Sequence, residues 1–287
     1  YRLYDADMPE YSAAIDIYEN KWICLQEYAA PSTIKEEDAS RRLEELVLAT
    51  ERTTGIDYEK IYVKRREIQK GDKQYTRRSK PSESHFYVIN ENGHRFHVNF
   101  ADYLDTGIFL DHRPVRKMIE NLSENKRFLN LFCYTGGFSV YAATSGAVSV
   151  DSVDSSAKAI DLVNRNMGLN NADTASYESC CADAMEFLGR CEEGKYDLII
   201  VDPPAFAKHR GALHNALRAY QRLNAAAISK VAPGGFVFTF SCSQVVDKIT
   251  FANTVFSAAA QTGRSVRILD RLCQGADHPV NIYHPEG

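Results

Sequence analysis

Residues Arg127–Ser139 read RFLNLFCYTGGFS, a short apolar run that ends in a turn with two adjacent glycines. The run has the length of a buried strand, and the apolar stretch after it has the length of a helix. The same alternation continues along the chain, with strands predicted at 148–153, 196–201 and 236–240 and helices predicted at 157–169 and 213–231. Strands separated by helices of this length predict an α/β fold, with a mostly parallel sheet and helices on both faces.

The first hundred residues are patterned differently and predict a small α+β domain. The expected elements are strands at 15–18, 22–27 and 61–63, a helix at 37–50 and a hairpin at 86–98. The hairpin is indicated by two alternating runs on either side of Asn90–Gly93. We therefore expect a small α+β domain at 1–104, followed by an α/β domain at 105–287.

The composition of the 287-residue chain is that of a globular protein. It has 34 basic and 38 acidic side chains, a net charge of −4 and 44% hydrophobic residues, which excludes a disordered or collagen-like chain. No apolar run approaches the roughly 20 residues that cross a bilayer, so we expect no membrane partner. The seven cysteines include no C-x-x-C pair. That spacing argues against a metal site and a disulfide framework, and it favours the cytoplasm.

Basic residues are concentrated between Lys64 and Lys80, where eight Lys and Arg side chains accompany two acidic ones. Clustered cations gain affinity for a polyanion by releasing its counterions, which makes this segment a candidate RNA contact. A solvated surface loop is the alternative interpretation. The candidate contacts are Lys64, Arg65, Arg66 and Lys70.

Acidic and small residues follow the predicted strands at the edge where parallel sheets bind ligands. Tyr134–Gly137 lacks the G-x-G-x-x-G pattern of a dinucleotide site, although Gly136 still permits close approach of a ligand. Asp154 is placed to accept hydrogen bonds from two ribose hydroxyls, and Asp183 to accept one from an adenine amino group. Without glycines for a pyrophosphate, this set favours S-adenosylmethionine over NAD. The alternatives are a plain turn at Gly136 and a helix N-cap at Asp183.

A second set of residues follows the strand predicted at 196–201. In Asp202–Phe206, Pro203 and Pro204 impose an extended backbone without amide donors, so that the carbonyls can accept from the amino group of a base. Phe206 is then placed to stack on the ring of that base. Lys208, in the basic trio that follows, is a candidate contact for the RNA backbone. A rigid, solvated loop is the alternative for the whole segment.

Cys242 ends the last predicted strand, at the same edge as Asp202. Carbon 5 of cytosine is a weak nucleophile, and addition of a thiolate at carbon 6 turns it into an enamine that attacks a methyl group. Cys242 is therefore a candidate nucleophile, and Asp202 a candidate base for the carbon 5 proton, with Asp277 and His278 as further candidates. A buried cysteine without a catalytic role is the alternative.

Six motifs occur in a fixed order: Asp105–Arg113 (DTGIFLDHR), Leu129–Phe138 (LNLFCYTGGF), Val153–Ser155 (VDS), Asp202–Phe206 (DPPAF), Ser241–Ser243 (SCS) and Asp277–Pro279 (DHP). Together they resemble the RlmI/RlmK group of bacterial 23S rRNA methyltransferases. Residues 1–11 and the FLDHR segment are similar to the RlmK side, which methylates guanine N7. The SCS motif and residues 277–287 are similar to the RlmI side, which makes 5-methylcytosine.

This resemblance implies a Rossmann-like class I methyltransferase domain, preceded by a small domain that positions large-subunit ribosomal RNA. The cofactor contacts that we expect are Phe109, Asp111, Arg113, Asn130, Phe132, Tyr134, Thr135, Gly136, Asp154, Ser155, Asp183, Ala184 and Asp202. Three hypotheses remain open: methylation of cytosine carbon 5 through Cys242, methylation of a guanine nitrogen, and a non-catalytic RNA-binding module that retains a relic pocket.

Overall fold

The computed structural model describes residues 1–28, 33–66, 85–172 and 176–279. The chain divides into two compact units, the first formed by 1–114 with 273–287 and the second by 115–272. The domain boundary expected between residues 104 and 105 lies before this division. The expectation that residues 105–287 form one domain stays a prediction.

The first unit contains a four-stranded sheet, a helix and a hairpin. Its elements are β1 (Arg2–Asp5), β2 (Ala13–Tyr18), β3 (Trp22–Tyr28), α1 (Glu36–Thr54), β4 (Ile61–Arg66), β5 (Phe86–Glu91) and β6 (His94–Asn99). The sheet has the order β1-β2-β3-β4, with β3 and β4 parallel and the other neighbours antiparallel. Leu46 and Val47 of α1 pack against Ile15 and Ile23 of the sheet. The α+β prediction is thus confirmed, and among the strands described in this unit β1 was not anticipated.

The second unit is an α/β sandwich. Its elements are α2 (Arg113–Leu122), whose first turn contains the division, β7 (Arg127–Leu131), α3 (Gly137–Thr144), β8 (Ser149–Asp154), α4 (Ala157–Leu169), β9 (Tyr177–Cys181), α5 (Ala184–Arg190), β10 (Tyr196–Val201), α6 (Leu213–Lys230), β11 (Val231–Thr239) and α7 (Lys248–Thr262). Leu129, Leu131, Ile199 and Val201 are fully buried, which explains why the central strands are continuous apolar runs.

The five strands are parallel and follow the order β11-β10-β7-β8-β9. The order reverses between β7 and β10, because the chain first adds strands on one side of β7 and then on the other. Open parallel sheets bind ligands outside the carboxyl ends of the strands at this kind of reversal. The predicted Rossmann-like fold is confirmed, and it places the loops after β7 and β10 at the expected edge.

The opposite edge of the sheet is held by buried and half-buried polar contacts. Arg127 donates from Nε to Asp197 Oδ2 and from Nη2 to Asp197 Oδ1, both over 2.9 Å. The hydroxyl of Tyr196, at the start of β10, donates to Asp151 Oδ2 over 2.5 Å. Across the residues that the structure describes, no helix is both long enough and apolar enough to span a membrane.

Candidate functional site

The loop after β7 has an unusual backbone. Phe132, Tyr134 and Gly136 have φ angles of +57°, +50° and +80°, and the first two lack the conformational freedom of glycine. A Cβ on Gly136 would lie 3.0 Å from Cγ1 of Val163 on α4, so glycine lets the loop approach that helix. Backbone strain of this kind is typical of sites that hold a ligand.

Asp154 ends β8 and faces this loop. Its Oδ2 accepts from the backbone amide of Tyr134 over 3.0 Å, and its Oδ1 accepts from the amide of Ser156 over 2.9 Å. Burial raises the pKa of Asp154, and these two amide bonds oppose the rise. Each carboxylate oxygen has a second lone pair, so the group retains the capacity to accept from two ribose hydroxyls.

Asp183 lies beyond the end of β9, the neighbour of β8. Its Oδ1 accepts from the amides of Met185 and Glu186 over 2.8 and 3.0 Å, so it is the N-cap of α5. The buried Ala184 is the first residue of that helix. The N-cap interpretation of Asp183 is therefore confirmed, while its contact with adenine stays a prediction.

Ser155 is exposed at the same edge, directly after Asp154. Its carbonyl accepts from the Cys181 thiol over 3.5 Å, which ties the ends of β8 and β9 together. Its predicted contact with a cofactor is untested.

Two of the predicted cofactor contacts are turned into the protein. The Asn130 side chain is buried and donates to Ser139 Oγ over 2.9 Å, and Ser139 in turn bonds Ser152 over 2.7 Å. Thr135 is also buried, and its carbonyl accepts from the Asn166 side chain over 2.8 Å. The Asn130 side chain thus bridges β7, α3 and β8 through the two serines, which favours a supporting role for it, while the predicted cofactor contact of Thr135 stays a prediction.

Phe109, Asp111 and Arg113 belong to the first unit. Phe109 is exposed, and Arg113 donates from Nε to the buried carboxylate of Glu91 over 3.1 Å. Arg113 also pairs through Nη1 with Asp277 over 2.5 Å, so the carboxylates of Glu91 and Asp277 lie against its guanidinium. The suggestion that this segment covers a cofactor stays a prediction.

The loops after β10 and β11 lie side by side. The two strands pair in register from Leu198 to Val201, and the amide of Phe240 extends this pairing to the Val201 carbonyl over 3.0 Å. Cys242 is exposed, and its Sγ donates to the Pro203 carbonyl over 3.7 Å. The thiol is therefore not buried, and it lies against the Asp-Pro-Pro segment as its strand position predicted.

A ring contact joins this pair of loops to the glycine loop. Phe138, two residues after Gly136, stacks on Phe240, two residues before Cys242, with ring centroids 6.2 Å apart and 16° between the planes. The half-buried Asp202 follows β10, between these two regions in the order of strands. The structure therefore brings the glycine loop, the Asp-Pro-Pro loop and the thiol to one edge.

The predicted RNA contacts of the first unit are only partly described. Lys64 is buried, with Nζ donating to the Leu104 carbonyl over 3.2 Å, which argues against a phosphate contact. Arg65 pairs with Glu27 over 2.6 Å and keeps 40% of its side chain exposed. Lys70 and the side chain of Arg66 lie outside the described residues.

In the second unit Lys208 is exposed, as its predicted role requires. Pro203 is buried and Pro204 is exposed, so the Asp-Pro-Pro segment is partly open to solvent. Within the described ranges there is no cluster of three His, Cys, Asp or Glu side chains that could hold a metal ion.

Val163 and Tyr220 are two residues near the site that the sequence did not predict. Val163 packs against Gly136, and Tyr220 bonds the serines on either side of Cys242. Both lie on the buried faces of their helices, where spacing alone indicates only a core residue. No sequence signal distinguishes such a residue from ordinary core.

The known proteins that this chain resembles in sequence or in structure are methyltransferases. A family model for S-adenosylmethionine-dependent methyltransferases matches residues 28–282. The ribosomal RNA large subunit methyltransferase K/L of Pseudomonas aeruginosa is 45% identical over 240 residues, which cover 83% of this chain and 32% of that protein. The protein of the same name in Pseudomonas fluorescens Pf0-1 is 42% identical over 268 residues, or 91% of this chain and 35% of the relative. This chain spans about a third of the length of these curated relatives.

Two solved structures share the fold. SMU.776, a methyltransferase complexed with SAH, has a TM-score of 0.78 at 24% identity and covers 100% of this chain and 72% of its own. A SAM-dependent methyltransferase from Streptococcus mutans has a TM-score of 0.77, with the same identity and coverage. At this identity the likeness shows the fold alone. The match of the family model over most of the sequence shows more: the chain belongs to the S-adenosylmethionine-dependent methyltransferase family.

Proposed function

We propose that this chain transfers the methyl group of S-adenosylmethionine to carbon 5 of a cytosine in large-subunit ribosomal RNA. The observation that carries the choice of base is the exposed Cys242 thiol, 3.7 Å from the Pro203 carbonyl at the carboxyl edge of the sheet. The names of the relatives support ribosomal RNA as the substrate.

The residues at the end of β7 and β8 fit the cofactor. The left-handed loop at 132–136 and the carboxylate of Asp154 would hold the adenosine part, with Asp154 accepting from the ribose hydroxyls. Asp183 would accept from the adenine amino group while it caps α5. When bound, S-adenosylmethionine would supply an electrophilic methyl group.

Four steps would complete the reaction. The Cys242 thiol first loses its proton to solvent, the resulting thiolate adds to carbon 6 of cytosine, and the electron pair of the former double bond moves to carbon 5. Carbon 5 then takes the methyl group, and the bond from that methyl to the sulfonium breaks. Asp202 removes the carbon 5 proton, and the electrons left behind expel the thiolate from carbon 6. The enzyme returns to its starting state once Asp202 has released its proton to solvent.

A guanine nitrogen is the second candidate target. The relatives that are 42–45% identical carry the name K/L, and the RlmK side of the resemblance methylates guanine N7. A ring nitrogen already has a lone pair, so this reaction requires no thiol adduct. Cys242 would then be a structural neighbour of the base.

The nucleoside product distinguishes the two candidates. The chain is incubated with unmodified 23S rRNA and labelled S-adenosylmethionine, and the digested nucleosides are identified by mass spectrometry. We expect 5-methylcytidine, whereas 7-methylguanosine would establish the second candidate. RNA that contains 5-fluorocytidine should also form an adduct with Cys242 that survives denaturation, because fluorine cannot leave as a cation.

Calorimetry with S-adenosylmethionine tests the hypothesis of a relic pocket. Methylation requires saturable binding of the cofactor. A chain that binds RNA but shows no heat and no thermal shift with saturating S-adenosylmethionine would instead be a non-catalytic RNA-binding module.

A further inference from the structure

One buried tyrosine lies behind the two loops that flank the proposed base site. Tyr220, on α6, has no exposed surface. Its hydroxyl accepts from Ser241 Oγ over 3.0 Å and lies 3.1 Å from Ser243 Oγ. Because the tyrosine oxygen accepts from Ser241, its own proton is available for Ser243. The Tyr220 hydroxyl thus holds the residues on both sides of Cys242.

The same side chain also contacts the loop after β10. Ser243 Oγ accepts from the backbone amide of Ala207 over 3.3 Å. The Tyr220 ring packs on Phe206, with ring centroids 4.7 Å apart and 51° between the planes. One residue therefore sets the position of the aromatic side chain proposed to stack on the base and of the proposed nucleophile.

We propose that Tyr220 is a positioning residue for methyl transfer, which fixes the Cys242 thiol relative to Phe206 and the Pro203 carbonyl. The role deepens the proposed function and rests on it, since Cys242 and Phe206 are the groups assumed to meet the base. Displacement of a reacting group by about 1 Å can cost on the order of a hundredfold in rate. Loss of the Tyr220 hydroxyl should therefore act mainly on turnover.

The variants Tyr220→Phe and Ser243→Ala test this role. Tyr220→Phe keeps the ring against Phe206 and removes only the bond to the serines, and Ser243→Ala removes the link to Ala207. Tyr196→Phe is the matched control, because it deletes another buried tyrosine hydroxyl, the one bonded to Asp151 at the amino end of β10. The measurements are kcat for rRNA methylation, KM for S-adenosylmethionine and the rate of iodoacetamide alkylation of Cys242.

Alkylation is followed by peptide mass spectrometry, so that the exposed Cys181 and Cys273 serve as references in the same sample. We expect Tyr220→Phe and Ser243→Ala to lower kcat at least about tenfold with KM for the cofactor unchanged. Alkylation of Cys242 should become several-fold faster, because the loop no longer holds the thiol against the Pro203 carbonyl. Tyr196→Phe should change neither quantity.

Three outcomes would overturn the proposal: wild-type kcat in Tyr220→Phe, an unchanged alkylation rate of Cys242, or an equal loss of kcat in Tyr196→Phe. The variant Cys242→Ala distinguishes this failure from failure of the proposed function. If Cys242→Ala keeps turnover while Tyr220→Phe loses it, the thiol adduct is wrong, and the loss in Tyr220→Phe reports placement of the Phe206 and 241–243 loops and not of the thiol. If Cys242→Ala loses turnover while Tyr220→Phe keeps it, the positioning role is wrong and the proposed function stands.

Discussion

The backbone amide of Tyr134 donates to the carboxylate of Asp154 over 3.0 Å, across the ends of two neighbouring strands. This bond joins the left-handed loop after β7 to the acid proposed to hold the ribose. It also occupies one lone pair of Oδ2 and leaves the other open to a ligand. The loop and the acid therefore form one unit, and a change in the charge of Asp154 should alter both.

Cofactor binding should weaken as the pH falls. Burial raises the pKa of Asp154 above the 3.8 of an ordinary aspartate, so this side chain takes up its proton at a higher pH than an exposed one. The protonated form is a poorer acceptor for ribose hydroxyls, so the Kd for S-adenosylmethionine should rise as the pH falls through that raised pKa. Calorimetry from neutral to mildly acidic pH measures the effect.

Asp154→Asn is the reference for this titration. The variant should bind the cofactor more weakly at neutral pH by about 1.5–3 kcal/mol, the usual contribution of a hydrogen bond to a charged group. Its remaining affinity should not depend on pH in the window where the wild-type affinity falls. An equal pH dependence in the variant would assign the titration to another group.

Gly136 should tolerate a methyl group far less well than Gly168. Gly136→Ala places a Cβ 3.0 Å from Val163 at a φ of +80°, and strain of this kind costs about 1–3 kcal/mol. Gly168→Ala, near the end of α4, meets no atom within 4 Å and should raise stability by up to about 1 kcal/mol. Urea unfolding of the two variants measures the difference.

The double variant Gly136→Ala with Val163→Ala separates the effect of the contact with Val163 from the effect of the left-handed backbone. Gly136→Ala should also weaken binding of S-adenosylmethionine, because the loop at 132–136 is proposed to hold the adenosine. Removing the valine methyl groups relieves the contact but not the backbone conformation, so the double variant should recover only part of this loss in affinity. Full recovery would mean that the left-handed backbone is not required.

Asp183 has two proposed roles that substitution can separate. Asp183→Ser keeps a side-chain acceptor for the amides of α5, so thermal stability should change little, while the lost carboxylate should weaken cofactor binding severalfold. Asp183→Ala should in addition cost about 0.5–2 kcal/mol in the free energy of unfolding. Thermal melts and calorimetry together measure both.

Asp247 is the matched control because it caps α7 in the same way, accepting from the amides of Ile249 and Thr250. Asp247→Ser should leave the affinity for S-adenosylmethionine unchanged. If Asp183→Ser has the wild-type affinity for S-adenosylmethionine, the role of Asp183 is limited to capping α5.

Cys242→Ala should abolish methylation of cytosine and leave the Kd for S-adenosylmethionine unchanged, since the proposed adenosine contacts lie after β7, β8 and β9. Cys273→Ala, which removes another exposed thiol, should retain wild-type activity. The assay is incorporation of labelled methyl groups into unmodified 23S rRNA. Turnover of Cys242→Ala at the wild-type rate would falsify the thiol adduct.

The backbone of the second unit was largely predictable from sequence. The helix predicted at 157–169 and the strand predicted at 196–201 have the observed bounds of α4 and β10. Central parallel strands are buried on both faces, so they appear as continuous apolar runs, and the residues after them must lie at one edge. For that reason Asp154, Asp202 and Cys242 could be assigned to the same edge before any coordinates.

Side-chain direction was less predictable. Lys64 belongs to a basic cluster by composition, yet it is buried because its amine bonds the carbonyl of Leu104, forty residues away in the chain. The Asn130 side chain likewise points into the protein, because its partner Ser139 lies on the following helix. Bonds between different elements decide where these side chains point, and composition and periodicity carry no information about such bonds.

The direction of the sheet also indicates where a label can be attached. The turn at 192–194 precedes β10 and therefore lies beside Tyr196, on the side away from the Cys242 thiol and from Asp154, the acid proposed to bind ribose. Glu193 is exposed there, and exposed turns generally accept insertions. A fluorophore or surface tether attached at this position should leave the proposed catalytic edge unobstructed, which suits single-molecule and immobilised assays of cofactor binding and of the proposed RNA methylation.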